Sequence, residues 1–448
     1  MERERRKDMP RERDEELIKI KKREKKEKPE KEKRAKNKRT KKQTSPKVNA
    51  TPRARGVKLD FTEETPEVNR YWLSVSKRYR AARFISIFLL CAFLFVMLAF
   101  FRENITYANL VYLVRDLDSN TTLAVGGYSD ISYDRSTESD FGLFRSRIAV
   151  ASPTGFKLYS QTGAVDLESD GVIADPRLEV SNKYALVYSA GDKKYSVYTT
   201  VARVLSAESD FAVEDAAVCD SGSYALLTRS QESRFLITVY GDSFQERTKY
   251  YKDSFVMDIA LSKEGDSLAA VSAKIDTTAT VCEVMIGKIG TKDTKTFEYG
   301  GMMPLSCEYT DDGRLVVICD SALLIFEGEK EIAKITFDGL TPGYFDVAGS
   351  TVAITFPTNV LGTSNDVTVY STEGKKICTS EIKGKVQAFS TDGTEAAYVI
   401  TERAAVRIGF EDGKTKTEEC DLQVIRALAV PGSVIVFTPE ESRSFFAD

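Results

Sequence analysis

The chain has no histidine. That absence excludes Ser-His-Asp and Cys-His catalysis, histidine-ligated zinc or haem, and any imidazole proton shuttle. Proline is scarce, at 12 in 448 residues, and the one tryptophan is Trp72. No pair of cysteines has C-x-x-C spacing, and no glycine-rich phosphate loop is present. No cofactor or metal is therefore expected. Apolar residues make up 42% of the chain and aromatics 10%, enough to build a substantial core.

The formal charge of −3 averages two opposite parts. Residues 1–84 hold 30 basic and 15 acidic side chains, and the remainder holds 34 basic and 52 acidic. Between them runs FISIFLLCAFLFVMLAFF, Phe84 to Phe101, 18 residues without a charge. As a helix it spans roughly 27 Å, about the thickness of a hydrocarbon core. It is apolar all round, unlike the striped face of a core helix. No small-residue cleavage site follows it, so it reads as an uncleaved signal anchor at 84–101. Lys77, Arg78, Arg80 and Arg83 precede the run and orient it, with the N-terminus in the cytoplasm and the C-terminal part outside the cell membrane.

Residues 1–60 form a basic tail with almost nothing apolar to bury, and disorder is expected there. Such a tail suits anionic lipid or nucleic acid, although no aromatics are interleaved before Phe61 to stack on bases. Residues 61–83 are a juxtamembrane segment and 102–120 a stalk. In the stalk, Asp116-x-Asp118-x-Asn120 opens like a calcium loop but fails at the glycine and glutamate positions.

From 121 to 448 the pattern changes to short β-branched or alternating runs separated by polar turns, which signals strands. One phrase recurs, as in DAAVCDSGSYALLTR (215–229), DIALSKEGDSLAAVS (258–272) and SCEYTDDGRLVVICD (306–320). Taking Gly142, Asn182, Gly222, Gly265, Gly313, Gly349, Gly393 and Gly432 as turn markers gives intervals of 40, 40, 43, 48, 36, 44 and 39. Eight units near 41 residues match four-stranded propeller blades. Hairpins such as FKLYSQTGAVDL, VTVYSTEGKKIC and VRIGFEDGKTKT supply the outer half of a blade, turning at Gly163, Gly374 and Gly413. The fold expected is all-β, an extracytoplasmic propeller of eight blades, with seven the alternative. The last unit lacks a strand, and Thr121–Val125 (TTLAV) is expected to complete it.

In this texture the external part resembles β-propeller repeat proteins. It departs from tryptophan–aspartate, quinoprotein and kelch repeats, which want Gly-His and Trp-Asp pairs, a tryptophan per blade, or a double glycine per blade. The layout of basic tail, single span and external propeller resembles an uncharacterised family of membrane-anchored proteins from Gram-positive, clostridia-like bacteria. That resemblance implies a location and no activity.

Cys219, Cys282, Cys307, Cys319, Cys378 and Cys420 mostly adjoin apolar strand residues and read as buried thiols, with disulfides between neighbouring strands left open. Carboxylate pairs such as Asp311-Asp312 and Glu418-Glu419 would permit a carbohydrate-active enzyme, but none stands out. Longer loops are the better binding candidates: 133–141, 273–280, 300–304 and 357–366, with Met302, Met303, Asn359 and Asn365 as contact residues. The expected function is a non-catalytic module that binds a protein or envelope polymer. The alternatives are the carboxylate enzyme, or a sensor whose tail recruits a cytoplasmic partner or anionic lipid.

Overall fold

The computed structural model describes residues 66–100, 128–276, 279–291 and 293–446. The basic tail 1–60, the stalk 102–120 and the segment Thr121–Val125 lie outside the described residues. The chain divides into two units, Met1–Phe101 and Arg102–Asp448.

Among the described residues of the first unit a helix, α1, runs Pro66–Phe100. Phe84, Ile85, Ile87, Phe88, Leu89, Leu90 and Phe93 are all exposed, and at 100° per residue they cover every side of the helix. Beyond residue 93 its side chains lie outside the described residues, and among the described residues no helix is long and apolar enough to cross a membrane.

The second unit is a ring of eight antiparallel sheets. In each blade the chain moves outward through strands a, b, c and d. Blade 3 is typical. Its a strand is Val213–Val218, b is Tyr224–Arg229, c is Phe235–Tyr240 and d is Glu246–Lys252. The b strand is buried almost throughout, whereas d alternates charged and half-buried positions. The charged strand lies at the rim because an outermost edge left apolar would pair with other chains. The innermost strands of blades 1 to 8 are Asp140–Phe144, Pro176–Val180, Val213–Val218, Phe255–Leu261, Pro304–Tyr309, Phe345–Ala348, Val386–Thr391 and Arg426–Val430.

The core is not one mass but eight separate clusters, each filled by the facing sheets of two neighbouring blades. One of them joins blade 8 to blade 1, which makes the array a closed ring of eight rather than seven. Blade 8 has only three named strands. Its fourth edge is taken by residues 128–133. Ser132 bridges Glu441, the Ser442 amide donates to the Ile131 carbonyl and the Tyr133 amide to the Glu440 carbonyl. The closing strand therefore lies just after the expected Thr121–Val125, because Tyr128 and Ile131 are the side chains that reach the seam.

The glycine markers hold for six blades, where Gly222, Gly265, Gly313, Gly349, Gly393 and Gly432 have positive φ in the a–b turns. A Cβ on Gly393 would lie 2.5 Å from the Ala348 carbonyl, so blades 6 and 7 can approach there only without a side chain. Gly142 is a correction. It sits inside the first strand against Val180, and Arg145, at φ 57°, makes that turn.

No disulfide is present among the described cysteines. Cys219, Cys282, Cys307, Cys319 and Cys420 are buried and Cys378 is half-buried. Native alkylation should therefore spare the five buried thiols, while denaturant should expose all seven. A native count well above two would contradict this packing.

Candidate functional site: an acidic channel and a raised apolar rim

Successive strands in a blade run antiparallel, so the ring has two unlike faces. The a–b and c–d turns lie on one, the b–c hairpins and the d–a links on the other. The closing strand begins on the first face, where the Ser129 amide donates to the Gln161 carbonyl in a c–d turn.

Near the axis the inner strands carry acids: Asp140, Glu179, Asp215, Asp258, Glu308 and Asp346, from blades 1 to 6 in turn. Blade 7 places Gln387 there and blade 8 Arg426. Several of these carboxylates stitch one blade to the next. Asp140 accepts from the Leu178 amide at 3.0 Å. Asp258 accepts from the Ser306 hydroxyl at 2.7 Å and the Cys307 amide at 2.8 Å. Asp346 does the same with Ser390 and Thr391, at 2.9 and 2.7 Å. Ser390 then accepts from the Ala429 amide, and Arg426 pairs with Asp140 across the seam. An oxygen held this way satisfies a backbone donor that no strand partner reaches.

A cavity of about 580 Å³ runs from these acids to the a–b turns, where Asn182, Asp220, Lys263 and Asp311 line it. Glu179 and Glu308 also line it, and neither makes a hydrogen bond or ion pair. Glu179 is half-buried and Glu308 is exposed to the cavity's own solvent, with many protein groups around both. Burial first, and then Asp215, Asp140 and Asp258, push the Glu179 carboxyl well above its usual range. Burial, then Asp346, Asp258 and Asp311, push Glu308 up to about 8. Desolvation also raises Asp258 and Asp346, and raises Asp215 to about 8 beside Asp258.

These shifts fix a sign. The folded ring holds protons that the unfolded chain would release near pH 4, so this stability is complete at low pH and is lost as pH rises through about 8. The thermal midpoint should fall between pH 5 and pH 9. Glu308→Gln, neutral and nearly isosteric, should lift the alkaline end and flatten the curve. A midpoint that climbs over this interval would contradict the assignment.

The opposite face is built differently. In blade 4 the b and c strands, Ser267–Asp276 and Ala279–Lys288, have ten residues each against five or six in most blades. Their hairpin rises above the ring, with Ile275 83% exposed near its tip. Lys252, Glu283, Lys274 and Glu298 form a ladder of ion pairs along it. The blade 6 hairpin, between Thr351–Pro357 and Ser364–Ser371, also rises and ends in Val360 and Leu361, 104% and 78% exposed. Between them blade 5 turns tightly after Arg314–Cys319, leaving a lower saddle beside the links that carry Met303, Leu340 and Tyr344. Most large apolar side chains exposed on blades 4 to 6 belong to this face, Ile377 and the inner-strand Met257 apart.

All four loops singled out by sequence are at this face. The contact residues divide. Met303 is exposed in the saddle, but Met302 packs on the core between blades 4 and 5. Asn359 is spent on its own turn, accepting from the Thr363 amide and donating to the Thr363 hydroxyl, both at 3.0 Å. Asn365 is buried, and its amide donates to the Gly362 and Gly384 carbonyls. The two asparagines build the hairpin, and Val360 and Leu361 are what it presents. Sequence reasoning missed those two, although an apolar pair in a polar loop was the available signal.

Lys77, Arg78, Arg80 and Arg83 are exposed along the N-terminal part of α1. Arg80 donates to Ser76 at 3.2 Å. No group of acids or cysteines among the described residues converges to hold a metal.

The fold is similar to that of BamB from Moraxella catarrhalis, with a TM-score of 0.51 at 11% identity over 71% of this chain and 98% of that one. Sqt1 from Saccharomyces cerevisiae is similar to the same degree, with a TM-score of 0.52 at 10% identity over 71% and 98%. At such identities the likeness is one of fold. No protein of curated function matches the chain in sequence. Residues 123–443 match the family of unknown function DUF5711, and the chain belongs to that family.

Proposed function

We propose that this chain is a membrane-anchored module that docks a partner protein on the raised face of its propeller and carries out no catalysis itself. The observation that carries the reading is the asymmetry of the ring. Apolar tips on two stiffened hairpins flank a saddle with three further exposed apolar residues. Apolar patches of this kind, rimmed by polar groups, suit burial against protein, whereas a polar envelope polymer would ask for hydrogen-bonding side chains. The described part of the ring begins on the other face, where the Ser129 amide donates to the Gln161 carbonyl. A carbohydrate-active enzyme gains no support, because Asp140, Asp258 and Asp346 are engaged in holding blades together.

The anchor belongs to the same proposal. An apolar helix exposed on every side needs a lipid or protein cover, and the basic residues before Phe84 favour a cytoplasmic N-terminus. The external location of the propeller follows from that orientation. In-cell crosslinking with mass spectrometry tests the whole reading. Partner peptides should attach to the 273–280 and 357–366 hairpins, and the full chain should resist alkaline extraction from membranes. Crosslinks confined to residues 1–60, or release of the chain by alkali, would contradict it.

A further inference from the structure

Blades 4 and 5 meet over a core that holds three cysteines, Cys282, Cys307 and Cys319. Cys282 lies on the c strand of blade 4, two residues beyond Thr280, whose carbonyl accepts from the Gly301 amide of the d–a link. It therefore stands at the foot of the raised hairpin. Cys319 is the last residue of the b strand of blade 5, just below the saddle turn. The two belong to separate sheets, yet both are fully buried and their sulfurs are 3.8 Å apart, in van der Waals contact. The other buried thiols are placed differently. Cys219 bonds to the Ser221 hydroxyl and the Ser223 carbonyl in its own turn, and Cys420 packs between blades 7 and 8. Cys307 is paired with Val317, two residues down the strand from Cys319.

We propose that Cys282 and Cys319 are a site of reversible oxidation by a hydroperoxide, forming a disulfide that fastens the raised hairpin of blade 4 to blade 5. Closing from contact to a bond of about 2.05 Å asks each sulfur to move about 0.9 Å, and no atom has to be displaced from between them. A hydroperoxide is small enough to reach a buried pair. One thiol sulfur takes an oxygen and becomes a sulfenic acid, while the rest of the peroxide leaves as water or an alcohol. The second sulfur then attacks the sulfenic sulfur, and its proton leaves with the hydroxyl as water. Two thiols and one peroxide thus give one disulfide, with two electrons passing from sulfur to the peroxide oxygens. A metal is a poorer guest for these thiols, since no three ligating groups converge among the described residues.

Tyr299 caps the pair. It sits beside Cys282 on the neighbouring d strand and, with Met302, covers the same core. Its hydroxyl donates to Glu331 of blade 5, and Lys334 lies over its ring, 5.2 Å from the centroid. The hydrogen bond to Cys282, and then burial, hold the Cys319 thiol protonated. The closed site is therefore slow to react, and opening of the cap sets the pace.

The test uses the full chain in detergent, reduced, freed of reductant and incubated natively with hydrogen peroxide. After denaturation in N-ethylmaleimide and proteolysis, mass spectrometry should find the peptide carrying Cys282 joined to the one carrying Cys319. Dithiothreitol should separate them and restore both thiols. The bond closes a loop of 37 residues, so the oxidised chain should melt about 5 °C higher than the reduced one. Tyr299→Ala should speed formation of the link several-fold by removing the cap. Cys307→Ala should form the same link, and Cys282→Ala should leave Cys319 unlinked. The linked peptide is read in the unaltered chain, so the assignment does not depend on the folding of any variant. Separate, alkylated Cys282 and Cys319 peptides after peroxide, or Cys319 joined to Cys307 instead, would overturn the proposal. Neither result bears on partner docking, which is read from crosslinks to the hairpin tips.

Discussion

Phe437→Ala is expected to destabilise the propeller by about 3–5 kcal/mol, lowering its thermal midpoint by roughly 10 °C. Phe437 is fully buried on the b strand of blade 8 and stacks on Phe141 of blade 1, with ring centroids 4.3 Å apart. Phe141 in turn meets Tyr133 from the closing strand at 5.3 Å. The truncation therefore removes a large side chain where first and last blades are joined, and backbone strands on both sides keep the void from collapsing. Opening this seam exposes the faces of two blades together, so the loss should appear as one cooperative transition. Ile377→Ala, at an exposed position, should move the midpoint within about 0.5 kcal/mol. A Phe437→Ala loss below about 1 kcal/mol would mean that the ring does not depend on this closure.

The second large effect concerns docking. Val360→Asp with Leu361→Asp should leave stability within about 0.5 kcal/mol, since both side chains already face solvent. Burying an apolar side chain of this size at an interface is worth about 1.5–3 kcal/mol. Losing two such contacts and introducing charge should weaken partner binding at least about 100-fold. The Asn359 and Asn365 hydrogen bonds shape the hairpin independently of these side chains, so a loss of binding would not be a loss of the loop. Recovery of the same partners at wild-type yield from membranes carrying the double variant would remove the hairpin from the docking surface.

The repeat was legible because a blade needs a tight a–b turn, and most of these turns need a positive φ that glycine supplies. Where another residue bears that conformation, as Arg145 does, the marker slipped to a glycine that merely packs beneath Val180. The closing strand was placed in the right neighbourhood but not in the right residues. TTLAV looks more strand-like than YSDISY, but the choice is made by contacts with residues 438–444, more than 300 positions away, and no local pattern encodes them. Loop length pointed to one face of the ring for the same reason the period was visible, since both reflect spacing along the chain. Which residues the loops present was not visible. Asn365 looks like a surface contact until its partners at Gly362 and Gly384 are known. The glutamates of the cavity were equally hidden, because they line one channel only when blades 2 and 5 are wrapped around one axis.

The helix proposed as the anchor stands apart from this. Its apolar run was evident from composition, and the described helix α1 covers it through Phe100, leaving its environment to be established by extraction and labelling.

The central claim is that the face bearing the blade 4 and blade 6 hairpins meets the partner. It is tested most directly by placing a photo-crosslinking residue at Leu361 in one full-length chain and at Ile377 in another, and illuminating intact cells. The two positions belong to the same blade and are both exposed, but they lie on opposite faces. The account predicts a discrete covalent adduct with a second protein from position 361 and none from 377. Adducts from 377 alone, or equal yields from both, would contradict it.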